Sequence, residues 1–201
     1  MYPTTEMRLC SSLLKYPLLM SFVGILLLIG CNQTTSNQPK TEIANYSYDV
    51  EEKLKEMGIT LIEPIIPKTA KIEPFVKVGN LLFLSGKGPR TSDGTLMTGK
   101  VGSDLTAEEG AAAARQVAIN QLEVIKMAVG DLNKVKQVVK VLGMVNATDD
   151  FKAHPQVING FSELMIEVFG DRGRHARSAV GMASLPSNIT CEIEIILEVE
   201  D

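Results

Sequence analysis

Four polar residues carry most of the chemistry open to this chain of 201 residues: Arg177, Glu192, Asn159 and Ser85. Arg177 stands in "RHARSAVGMASLP" (174–186), behind Arg174 and His175 and ahead of a small-residue run of strand character. Its guanidinium has two readings. One is a solvated guard, because edge strands carry Lys or Arg outward to discourage edge pairing. The other is a functional group that the strand exists to present. Glu192, in "CEIEI" further along, reads as one solvated strand glutamate among several. Asn159 sits inside a helical run where asparagine has no propensity reason to be. That position favours a hydrogen-bonding task. Ser85 and Gly86 close an apolar strand-like run, "LLFLSG".

Other chemistries find little footing. His154 and His175 are the two histidines, and neither has a ligand partner at metal-site spacing, so no metal is expected. His154 precedes Pro155 and reads as a surface cap residue. "SGKGPRTSDG" is glycine-rich, yet it lacks the Gly-Lys-Ser/Thr ending and following helix of a phosphate-binding loop. A nucleophile elbow is absent too. No cofactor is called for.

The elements that must hold these residues follow from the hydrophobic pattern. Ser47–Gly58 reads as a short helix with Val50, Leu54 and Met57 on one face, and prolines 64, 67 and 74 mark an extended connector over 59–74. "FVKV" and "LLFLS" around Gly79-Asn80 predict a hairpin. Thr106 and Glu109 have capping-box spacing and open a helix to about Val129, with Ala114, Ala118, Leu122, Ile125 and Val129 as its apolar stripe. Val135–Asn146 reads as a strand with a bulge at Gly143. Phe151–Phe169 predicts a second helix with Pro155 in its first turn. Ala176–Ala183 and Thr190–Glu200 close the pattern as two more strands. In the last of them Cys191, Ile193, Ile195, Leu197 and Val199 share one face opposite Glu192. Cys191 is thus a core residue, not a nucleophile. The order ββαβαββ predicts an α+β sandwich of two layers, a mixed sheet with two helices on one face. The bare sheet face calls for a second copy of the chain.

Residues 1–30 stand apart. Arg8 and Lys15 precede an apolar run, Leu18–Ile29, too short to span a bilayer and suited to a signal-peptide core. Leu28-Ile29-Gly30-Cys31 resembles the lipobox of bacterial lipoproteins, which implies cleavage before Cys31, its lipidation, and membrane attachment through two acyl chains. Residues 31–46 then form a polar tether, and 47–201 the folded domain. Asn32 after Cys31 favours the outer over the inner membrane. The chain carries 20 Lys+Arg against 24 Asp+Glu. Loss of the leader moves the balance to about −5, which argues against nucleic acid as a partner.

"GRHARSAVGMASLP", "CEIEI", "GNLLFLSG", "VKVLGMVN" and "VINGFSELMIEVFG" together resemble the RidA (YjgF) family over about residues 48 to 200. The resemblance implies a chorismate-mutase-like fold assembled as a homotrimer with clefts between subunits. It also implies hydrolysis of enamines and 2-imino acids to 2-oxo acids and ammonia. The family's carboxylate-binding arginine falls on Arg177 and its water-positioning glutamate on Glu192, while Ser85, Gly86 and Asn159 fall on cleft-lining positions. Four features depart from the family pattern. The cysteine two residues after the arginine is Ala179, the cleft tyrosine has no clear counterpart near Ile72 or Phe75, the family's "SGQ" is Ser85-Gly86-Lys87, and Arg174 and His175 add basic groups. These departures make a non-catalytic module for a small carboxylate metabolite the alternative reading.

Overall fold

The computed structural model describes residues 46–64 and 71–200. The leader, Cys31 and the tether up to residue 45 lie outside the described residues. Tyr46, placed by sequence at the end of the tether, belongs to the folded part. Its hydroxyl donates to the Val135 carbonyl at 2.7 Å, and the Arg172 guanidinium stacks 4.1 Å from its ring centroid. The following helix, α1 (Val50–Glu56), is shorter than expected at both ends. Asp49 caps it by accepting from the backbone N–H groups of Glu51 and Glu52, and Gly58 at φ 71° ends it. Val50 and Leu54 are buried, so α1 is fastened to the domain by its apolar stripe.

Seven further elements follow in the predicted order. They are β1 (Phe75–Val78), β2 (Leu81–Lys87), α2 (Ala107–Val129), β3 (Val135–Asn146), α3 (His154–Phe169), β4 (Ala176–Met182) and β5 (Cys191–Val199). The strands form one sheet in the order β1-β2-β5-β3-β4. Only β3 and β4 run parallel, joined through α3. The capping box at Thr106 and Glu109 opens α2 as its spacing demands. Cys191, Ile193, Ile195, Leu197 and Val199 are all buried under α2 and α3. Opposite them, Val76, Val78, Phe83 and Val180 remain exposed on the uncovered sheet face.

Two glycines set how closely neighbouring elements approach. A Cβ at Gly160 of α3 would lie 2.0 Å from the Ala111 carbonyl oxygen of α2, so the two helices cross almost backbone to backbone. A Cβ at Gly143 would lie 2.6 Å from Ile158 Cδ1. Gly143 is therefore not the bulge that its place in a strand suggested. It keeps regular pairing and makes room for α3, while the irregularities of β3 fall between Val135 and Gln137 and between Val138 and Lys140. The second helix begins at His154, three residues later than expected, behind Ala153, which provides no side-chain cap. His154 is not a surface cap residue either. It is half-buried, with its ring edge-on to Phe151 and its Nε2 packed over Gly181.

Candidate functional site

Arg177 pairs with Val141 across β3 and β4, and so points to the helix side of the sheet at its open edge. There α3 meets it. Asn159 and Ser162 lie three residues apart and therefore share a helix face. Arg177 Nη1 donates to Asn159 Oδ1 and to Ser162 Oγ, each at 2.9 Å, and Nη2 donates to the Pro155 carbonyl at 3.3 Å. All three acceptors are neutral. Among the described residues no carboxylate pairs with this guanidinium. Partial burial pulls its pKa down from the ordinary arginine value, yet an arginine stays charged throughout the working range.

The donor count is informative. A guanidinium has five N–H donors in a fixed plane. Both Nη1 hydrogens and one on Nη2 are taken. The Nε hydrogen and one Nη2 hydrogen remain, the number needed for a single bidentate carboxylate.

Behind Ser162 stands His175. Its Nδ1 lies 2.6 Å from the Gly173 carbonyl, which can only accept, so Nδ1 carries the proton. Nε2, 3.0 Å from Ser162 Oγ, is then the acceptor for the serine hydroxyl in the neutral ring. Burial lowers the imidazole pKa from its ordinary value and the charge of Arg177 lowers it further, against the Gly173 hydrogen bond. His175 is thereby held neutral and faces Ser162. It adds no second cation to the anion site. Arg174 turns away as well, pairing with Asp171 at 3.2 Å.

Glu192 lies elsewhere. It alternates with the buried face of β5 and so projects from the uncovered side of the sheet, in register with Met144 and Val180. Two strand spacings and three residue rises separate it from Arg177, about 14 Å between backbones. A Cβ on Gly86 would fall 2.2 Å from Glu192 Oε1, so the absence of a side chain at Gly86 is what gives this carboxylate its place. Burial raises the Glu192 pKa above the usual carboxylate value, and Glu194 adds to the rise. Ser85 is beside Gly86 at a break in register between Leu84 and Lys87, its hydroxyl donating to the Glu73 carbonyl at 2.7 Å. The buried Gln121 secures this irregular stretch by donating to the carbonyls of Ser85 and Ile193.

The structure thus gathers the expected residues into two groups. Arg177 and Asn159 meet on the helix side, while Glu192 and Gly86 meet on the uncovered side with Ser85 adjacent in sequence. Ser162 was not anticipated, although it sits at the right spacing from Asn159 to share its face, and His175, expected as an added basic group, instead faces Ser162 as a neutral ring. Ala179, paired with Gly143, follows Arg177 on the same face and offers no thiol.

Comparison with known proteins covers nearly all the described residues. The family described as "YjgF/chorismate_mutase-like, putative endoribonuclease" matches residues 51–199. Protein TCP17 of Trypanosoma cruzi is 39% identical over 153 residues, which are 76% of this chain and 95% of that protein. A crystal structure of an Agrobacterium tumefaciens protein of unknown function superposes with a TM-score of 0.70 at 42% identity, covering 76% of this chain and 94% of that one. A second, described as a putative endoribonuclease from Shewanella oneidensis MR-1, gives 0.71 at 32% identity over 76% and 100%.

Proposed function

Since the chain belongs to the YjgF/RidA-like family and has its chorismate-mutase-like α+β fold, we propose that it hydrolyses 2-imino acids or the tautomeric enamines to 2-oxo acids and ammonia. The observation that carries this reading is the state of Arg177. It is a half-buried cation fixed by three neutral acceptors, without a carboxylate partner among the described residues, and with two donors left over. Each charge-assisted bond to a substrate carboxylate contributes about 1.5–3 kcal/mol. Water adds to the imine carbon as the C=N electron pair moves to nitrogen, which takes up a proton. Collapse of the carbinolamine releases ammonia and leaves the 2-oxo acid. Glu192, with its raised pKa, is the base that takes the proton of the attacking water. Arg177 and Glu192 lie on opposite faces of one sheet, so the complete site forms between copies, with Glu192 supplied by a neighbouring chain. The exposed Val76, Val78, Phe83 and Val180 on the uncovered face support such an assembly, a homotrimer as the family resemblance implies. Lipid attachment through Cys31 would place it at a bacterial envelope.

The test generates imines from amino acids with an amino-acid oxidase and follows ammonia release with and without the protein. Wild type should accelerate release, and Arg177→Ala should abolish the acceleration. An unchanged rate in Arg177→Ala refutes the mechanism. Ala179, in place of the family cysteine, favours one other reading, a cleft that binds a small carboxylate without turning it over. Saturable Arg177-dependent binding without ammonia release would select it.

A further inference from the structure

The proposed carboxylate site at Arg177 has a supporting chain that the substrate never needs to touch. Four groups lie in one line: the Gly173 carbonyl, the His175 ring, the Ser162 hydroxyl and Arg177 Nη1. Hydrogen-bond polarity along that line is determined. The carbonyl fixes the proton on Nδ1, Nε2 must accept, Ser162 must donate to it, and a serine lone pair is left facing the arginine. The line is also held in place by packing. Gly173 approaches α3 so closely that a Cβ there would sit 2.1 Å from the Met165 carbonyl oxygen, and Phe161 packs edge-on against the His175 ring. The charged groups around the imidazole are accounted for. Arg177 on β4 acts on it, Arg174 is paired with Asp171, and α3 presents the uncharged Ser162 and Phe161.

We infer that Ser162 and His175 are positioning residues for Arg177: together they occupy one Nη1 hydrogen and so restrict the guanidinium to a single carboxylate along its remaining edge. This inference rests on the reading of Arg177 as an anion site. It has two consequences. Ser162→Ala frees a hydrogen on Nη1, giving the arginine a third open donor, so discrimination between a planar carboxylate and a tetrahedral anion should fall. An anion on Arg177 also offsets the positive field that disfavours imidazolium, so binding and protonation of His175 are linked. By reciprocity, carboxylate binds more tightly where His175 is protonated.

The experiment uses the full chain with pyruvate and inorganic phosphate as probes. Calorimetry gives their dissociation constants, and the His175 ring resonance is titrated by NMR with and without saturating pyruvate. Wild type should prefer pyruvate, and pyruvate should raise the His175 pKa by about half a unit. Ser162→Ala should lose roughly ten-fold in that preference, about the worth of one hydrogen bond. Ser162→Thr, which keeps the hydroxyl, should restore it. His175→Phe keeps the ring packing and should remove the pH dependence of pyruvate binding below neutrality. Binding that depends on Arg177 but is equally selective in Ser162→Ala, or a His175 pKa indifferent to pyruvate, overturns the inference alone. Failure of wild type to bind pyruvate overturns the anion-site reading with it.

Discussion

Gly160→Ala is a single methyl substitution whose effect on stability has opposing terms, and the structure decides the sign. In an exposed helix interior, replacing Gly by Ala stabilises by about 0.8–1.0 kcal/mol. Here the new Cβ would stand 2.0 Å from the Ala111 carbonyl oxygen and 2.8 Å from its carbon, inside the 3.0 Å that real Cβ contacts essentially never cross. The obstacle is helix backbone, which cannot rotate away as a side-chain tip can. The helices α2 and α3 must part by about 1 Å, and overpacking of this kind costs about 1–3 kcal/mol, occasionally more. With backbone on both sides the upper end applies. The net loss is then about 2 kcal/mol, or roughly 4–8 °C in Tm for a chain of this size. The same shift reaches the site, because Asn159 and Ser162 flank this turn of α3. Their bonds to Arg177 stand at 2.9 Å, and N–H···O bonds fade beyond about 3.2 Å. Pyruvate binding should weaken together with stability. Urea and thermal unfolding read the first effect, calorimetry the second. A Gly160→Ala protein as stable as wild type, or more so, would refute the claim that α3 is seated through this contact.

Three further outcomes follow from particular contacts. Gly86→Ala puts a Cβ 2.2 Å from Glu192 Oε1, which swings the carboxylate aside without breaking the core. The fold should survive within about 1 kcal/mol while kcat for imine hydrolysis drops at least ~10-fold; an unchanged kcat in a stopped-flow ammonia assay would remove Glu192 from the chemistry. The Cys191 thiol is pushed up to about 12 by burial. Iodoacetamide at mildly alkaline pH should therefore leave it unmodified until urea unfolds the protein, as read by peptide mapping. His175 has a lowered pKa in the fold, so as pH falls through about 6.5 the unfolded chain takes up its proton first. The stability associated with neutral His175 is present above that pH and lost down to the lower folded pKa. Urea unfolding at successive pH values should show this slope in wild type and a shallower one in His175→Phe.

Much of the fold was legible because local signals agreed with one another. The capping box at Thr106 and Glu109, the period of α2 and the strict alternation of β5 each named an element and its buried face. Gly143 was misread because a glycine inside a strand pattern looks alike whether it marks a bulge or a close approach. The deciding neighbour, Ile158, belongs to a helix that sequence spacing does not bring near. The site divides the same way. That Glu192 faces away from the core could be read from alternation alone. That Arg177 faces the helices could not, because this depends on its parallel register with Val141. Asn159 stood out as a misfit in a helix, whereas Ser162, a commonplace helix residue, gave no such signal until Arg177 was seen between the two.

Opposite facing of Arg177 and Glu192 bears on why the chain would assemble at all. A hydrolase built from one copy would need both groups on one side of the sheet, within reach of a substrate a few atoms long. The strand order β5-β3-β4 instead sets them on two faces about 14 Å apart. Each group is nevertheless prepared for work. Arg177 is fixed with donors to spare, and Glu192 has a raised pKa and a glycine cleared beside it. Under the proposed function, two half-sites that cannot meet within a chain would meet where the uncovered face of one copy receives the β4 edge of the next. In that proposed arrangement the apolar side chains exposed on the uncovered face would supply the association energy, and the chemistry would be a consequence of assembly.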